Sequence, residues 1–153
     1  MEYCIADAKA KGKSGICMLG SQKQKAWLSD KNFAQKFGFE AVDFTDNGYE
    51  LLCISFDGTK PRFCENAKHM AIPDKDLTVY YSEQCPYTYL FLESIEKYCS
   101  ENNVPLNIVK VDTLQKAKSL PCVFNNWAVF YGGEFKTVNL IDAKAAEKLI
   151  KKK

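Results

Sequence analysis

The apolar residues of this chain change period from one stretch to the next, and the changes mark out its elements. Met1, Cys4, Ile5 and Ala8 recur at helical spacing with Gly12 as a stop, so a helix is expected over 1–11. No capping residue precedes it, and the pattern opens inside a helix rather than before one. Residues 15–20 form a short apolar run between glycines and read as a strand, followed by a polar loop over 21–25. Ser29 or Asp30 can cap a helix over 31–37, which Gly38 would close in a left-handed conformation. Residues 40–44 and 49–56 alternate as two strands. Between them, Thr45-Asp46-Asn47-Gly48 carries the Asn-Gly hairpin signal. Residues 1–58 therefore read αβαββ. Residues 59–75 contain Pro61 and Pro73 without a sustained period, and read as a connector between two units.

From residue 76 the pattern becomes βαβαββα. The β-branched and aromatic run 77–81 is a buried strand, and Ser82-Glu83-Gln84 is a polar turn. Cys85 follows, with Pro86 at the expected first helical position. Tyr89, Leu92, Ile95, Tyr98 and Cys99 then keep a 3.6-residue spacing as far as Asn102-Asn103. A second buried strand is expected over 106–111, a short helix over 113–119 and a hairpin over 127–138 turning at Gly132-Gly133. A last helix over 142–151 is capped by Asp142, with Ala145, Ala146, Leu149 and Ile150 inward. The fold class is α/β in the α+β sense, without internal repeats or low-complexity tracts.

Composition narrows the partners. The 153 residues, 46% hydrophobic and 26% charged, suit one ordinary globular domain or two small ones. The net charge of +2 is small, and three lysines sit in the tail Lys151-Lys152-Lys153. With no basic patch interleaved with aromatics, no nucleic-acid partner is expected. No apolar run is long enough to span a bilayer, and the first residues lack the form of a secretory signal. The seven cysteines are scattered without a Cys-x-x-Cys pair, which argues against a disulfide framework or a zinc site. The cytoplasm is the expected compartment.

Cys85 is the candidate reactive thiol, because it stands where a strand hands over to a helix. Unpaired N–H groups and the positive end of the helix dipole favour a thiolate there, although Glu83 opposes the effect. The alternative is a partly buried structural cysteine. His69, alone in the polar connector, reads as a surface residue.

The βαβ–(α)–ββα order, with a cysteine opening the first helix and a proline before the third strand, resembles the thioredoxin fold. In Cys85-Pro86-Tyr87-Thr88, Thr88 stands where that fold's oxidoreductases carry a second thiol, which leaves monothiol chemistry or none. The resemblance makes Pro121 the candidate for the cis-proline that faces the cysteine. The stretches YYSEQCPYT and LPCVFNNWAVFYGGEFKT are similar to the YoaP-like domain found at the C-terminus of some GNAT-family N-acetyltransferases, over residues 76–150. KFGFEAVDFTDNGYELLCISF resembles the closing segment of the GNAT fold, with Gly38-Phe39 matching its helix-ending signature. Residues 1–11 then resemble the helix that follows the acetyl-CoA pyrophosphate loop.

The resemblance implies acetyl transfer from acetyl-CoA to an amine. It also places the pyrophosphate loop and the pantetheine-binding strand ahead of Met1, so no cofactor binding and no activity are expected of this chain alone. The tyrosine that often protonates the CoA thiolate aligns with Ala34, and an asparagine one helix earlier aligns near Trp27. A monothiol redox protein using Cys85 and a non-catalytic binding module are the alternatives. For these, Pro86, Tyr87, Thr88, Pro121 and an aromatic surface near Trp127 are the candidate substrate contacts, and no metal ligands are expected. The strand at 16–19 is apolar, uncharged and without proline, and would lie on a sheet edge. A second copy in a homodimer, or the YoaP-like domain folding back, is expected to cover it.

Overall fold

The computed structural model describes residues 1–23, 25, 27–28 and 30–151. It is a mixed α/β structure with two separate sheets, and the chain divides into compact units at Met1–Lys68 and His69–Lys153.

The first unit contains α1 (Glu2–Ala10), β1 (Gly15–Ser21), α2 (Lys31–Gln35), β2 (Glu40–Phe44), β3 (Tyr49–Ser55) and the short α3 (Glu65–Lys68). Its antiparallel sheet has the order β1-β3-β2, so β3 is central and β1 lies on an edge. Gly12 (φ 63) ends α1 in a Schellman arrangement, with Lys13 N–H donating to Ala8 O and Gly12 N–H to Lys9 O, both at 3.0 Å. The inward face expected of α1 is only partly realised. None of its residues is buried and Cys4 is exposed, because the helix packs beside the edge strand β1 with little of the core beneath it.

Asp30 caps α2, its carboxylate accepting the Asn32 N–H at 3.0 Å, while Ser29 lies outside the described residues. Gly38 (φ 86) then turns the chain so that Phe39 joins Ala34 and Leu52 in the core of this unit. The β2–β3 hairpin differs in detail from the Asn-Gly signal. Gly48 N–H donates to Thr45 O at 3.0 Å and Thr45 N–H to Tyr49 O at 2.9 Å, with Gly48 at φ 85. This is a turn followed by a left-handed glycine, so Asn47-Gly48 closes the loop and does not form its two central residues.

The stretch 59–75 is divided between the units. In the first, Lys68 of α3 pairs with Asp43 at 3.3 Å and its carbonyl accepts the Asp46 N–H. In the second, Met70 and Ile72 are buried, and Ala71 bridges to Glu134. His69 is exposed.

The second unit contains β4 (Leu77–Tyr81), α4 (Thr88–Glu101), β5 (Leu106–Lys110), α5 (Leu114–Lys118), β6 (Trp127–Tyr131), β7 (Glu134–Thr137) and α6 (Ala143–Lys151). The sheet order is β5-β4-β6-β7, with β4 and β5 parallel and the other pairs antiparallel. Leu77 and Val79 of central β4 are fully buried among Leu92, Ile95, Trp127 and Val129. The apolar run of β5 predicts a buried strand; every residue of it is half-buried, because the strand lies at the edge of its sheet. The Asp142 carboxylate caps α6 by accepting the Ala145 N–H at 2.8 Å, and Ala146 enters the core.

Candidate functional site

The β4–α4 connection is held at both ends. Val111 N–H donates to Tyr81 O at 2.7 Å, Ser82 N–H donates to Asn126 O at 3.0 Å, and Thr88 N–H donates to Cys85 O at 3.2 Å. The last bond makes a tight turn of 85–88, so α4 begins at Thr88 and Pro86 lies in the turn ahead of it. Cys85 is half-buried, Pro86 and Tyr87 are exposed, and Thr88 is fully buried at 0%. The start of α4 has no capping side chain and no acid in its first turn.

Two expected contacts change character. Trp127 is 2% exposed and stands opposite Tyr81 in the β4–β6 register. Its indole fills the core between sheet and helices, so it does not form an aromatic surface. The exposed apolar side chains here are Tyr87, Tyr89, Leu90 and Leu114. The peptide bonds of the described residues are all trans, including that before Pro121, so Pro121 is not a cis-proline. Residues 122–126 separate it from β6, and the chain bends at 121–123 with the peptide bonds trans.

Sequence reasoning missed the charged cluster beside the turn. Glu83 accepts from Lys110 Nζ at 2.7 Å and from the Tyr89 hydroxyl. The Lys110 hydrogen bond, followed by that of Tyr89, holds the Glu83 carboxyl below its usual range. Glu83 in turn pushes the Tyr89 phenol up. Lys110 reaches this spot because it pairs with Tyr81 across parallel strands, a proximity no local spacing announces. Ser82, Glu83, Gln84, Asp112 and Thr113 line an open depression of about 460 Å³ at the carboxyl ends of β4 and β5. Of these, Ser82 keeps its hydroxyl buried without a hydrogen-bond partner; elsewhere in this unit the Thr88 hydroxyl and the Trp127 indole N–H are likewise buried and unpaired.

In the first unit, Ala34 is fully buried and carries no transferable proton, and the Trp27 ring lies 6.1 Å from that of Tyr49. Among the described residues, no group of three or more His, Cys, Asp or Glu is placed to hold a metal, and no helix is long and apolar enough to cross a membrane.

A family model described as YoaP-like matches residues 105–151, from β5 to α6, and stops short of Cys85. The chain is also similar to the uncharacterized N-acetyltransferase YoaP of Bacillus subtilis (strain 168), with 28% identity over 152 residues. That alignment takes in 98% of this chain and 61% of the relative, so the chain spans less than two thirds of the relative's length. No solved structure matches it. The similarity is therefore to YoaP-like sequences and to a protein named as an acetyltransferase, and it runs through both units.

Proposed function

We propose that this chain belongs to an N-acetyltransferase of the GNAT type, which moves an acetyl group from acetyl-CoA to an amine. In this reading the first unit is the closing αβαββ portion of the acetyltransferase fold and the second is a YoaP-like unit of thioredoxin-like order. The observation that carries it is the alignment of 98% of the chain, at 28% identity, with a relative named as an N-acetyltransferase. The helix that ends at Gly38-Phe39 and leads into an antiparallel hairpin supports the first assignment. The β5-β4-β6-β7 order, with a single parallel pair, supports the second.

Acetyl-CoA supplies the thioester carbon that the amine attacks. The described residues of the first unit make a poor cradle for its pyrophosphate, which is held by backbone N–H groups at a helix start. α1 carries Glu2 in its first turn, and the Asp30 carboxylate already occupies the start of α2. Each acid competes with a phosphate for the same positive end of the helix. The cofactor loop is assigned in this proposal to the part of the relative that this chain does not span. The isolated chain then binds acetyl-CoA weakly, and the outer edge of β1 pairs with a second copy of the chain.

Calorimetric titration with acetyl-CoA, run beside the full-length Bacillus relative, tests this reading. Expected are weak or absent heats for this chain, and saturable binding with amine-dependent release of CoA thiol for the relative. Saturable low-micromolar binding by the chain overturns the cofactor assignment. A relative that releases no CoA with any primary amine overturns the transferase reading.

A second reading, monothiol or ligand-binding chemistry at Cys85, is favoured by the uncapped, acid-free start of α4 behind that thiol.

A further inference from the structure

We propose that Cys17 and Cys53 form a reversible cross-strand disulfide that fastens the edge strand β1 to the central strand β3. Only these two of the seven cysteines lie on strands, and the register sets them directly opposite each other. The kind of pair they make follows from the flanking hydrogen bonds. Phe56 N–H donates to Ser14 O at 2.8 Å and Gln22 N–H donates to Gly48 O at 3.0 Å. These mark Ser14/Phe56 and Gln22/Gly48 as hydrogen-bonded pairs, and such pairs alternate along an antiparallel ladder. Counting inward from either end, Cys17/Cys53 falls on a non-hydrogen-bonded pair. At such sites the Cα atoms are about 4.5 Å apart and the side chains approach closely. A disulfide needs a Cα separation of roughly 4.4–6.8 Å, so the bond can close without moving the backbone far.

The two thiols differ in the way a sequential exchange requires. Cys17 is exposed on the outer strand, while Cys53 is 5% exposed. Burial, and then hydrogen bonding to Cys17, push the Cys53 thiol up to about 11. A small disulfide such as oxidised glutathione is the oxidant. The Cys17 thiolate attacks it, forms a mixed disulfide and expels one glutathione thiolate. Cys53 then loses its proton to that thiolate and attacks the Cys17 sulfur, which forms the Cys17–Cys53 bond and releases the second glutathione. The two protein thiols are oxidised, and the glutathione disulfide is reduced to two thiols. The bond locks the register of β1, the strand at the edge of its sheet.

The full chain is incubated with reduced or oxidised glutathione, quenched with a maleimide under denaturing conditions, and digested for mass spectrometry. After oxidation, five of the seven thiols should still label. One linked peptide should join Cys17 to Cys53, and dithiothreitol should reverse the change. Cys17→Ser, on the exposed side, should abolish the linked peptide and keep the circular dichroism of the parent. Cys53→Val should do the same, and Cys85→Ser should leave the bond intact. A glutathione adduct that persists on Cys17, a bond between any other pair, or seven reactive thiols after oxidation would overturn the proposal.

Discussion

Lys31 Nζ lies 3.1 Å from Oε1 of Glu50, a carboxylate only 3% exposed on the central strand of the first sheet. The other oxygen, Oε2, is buried without a partner. The Lys31 ammonium thus pairs with a carboxylate that water barely reaches. Removing one member of a buried ion pair costs about 3–5 kcal/mol, and the partial exposure of Lys31 lowers that figure. Lys31→Met should therefore destabilise the first unit by about 2 kcal/mol in urea unfolding, and Glu50→Gln by less, since a neutral amide needs no counter-charge. Equal midpoints for Lys31→Met and the parent would show that Lys31 does not support Glu50.

Cys122 gives the second unit an alkaline limit. Burial pushes its thiol up to about 11 from a starting value of 9.0. The folded pKa lies above the unfolded one, so the folded state keeps its proton longer. Stability is complete below about pH 9 and falls as the pH rises toward 11, by about 2–3 kcal/mol over the window. Urea midpoints followed by the fluorescence of Trp127 should show this slope, and Cys122→Ala should reduce it, the Cys99 thiol and the Tyr80 phenol, both also pushed up by burial, keeping the remainder. A parent with no slope would mean that the thiol is reached by water.

The reading of Cys85 as a site predicts an order of alkylation. With limiting iodoacetamide at neutral pH, Cys85 should label before Cys4 and Cys64, although both of those are exposed and Cys85 is half-buried. Labelling of Cys4 or Cys64 ahead of Cys85 would leave it a structural cysteine.

Pairing at the outer edge of β1 can be read from individual amides. By the alternation of the ladder, the N–H groups of Cys17 and Leu19 point away from β3. If a second copy adds there, these two amides should exchange slowly at high protein concentration and quickly on dilution, in step with the mass from light scattering. Fast exchange at every concentration would show an open edge. Met18→Lys is a poor probe of this edge, because Met18 packs against the Ala34, Phe39 and Leu52 core and its replacement would bury a charge.

What the chain determined by itself was local chemistry. Gly12 and Gly38 stop their helices because each takes a left-handed φ that other residues resist, and Asp30 and Asp142 start theirs through their own carboxylates. The position of Cys85 between a strand and a helix was legible for the same reason, since the period changes within a few residues. The tertiary structure decided whatever depended on which strand lies beside which. β5 and central β4 read alike as apolar runs, yet the sheet order leaves one half-buried and seals the other. Trp127 is a core residue because β6 pairs with β4, and Lys110 meets Glu83 because β5 runs parallel to β4. Cys17 and Cys53 are far apart in sequence, and only the antiparallel register brings them face to face. Period and capping are set over one or two turns of chain, whereas register is chosen by burying the whole of both strands at once.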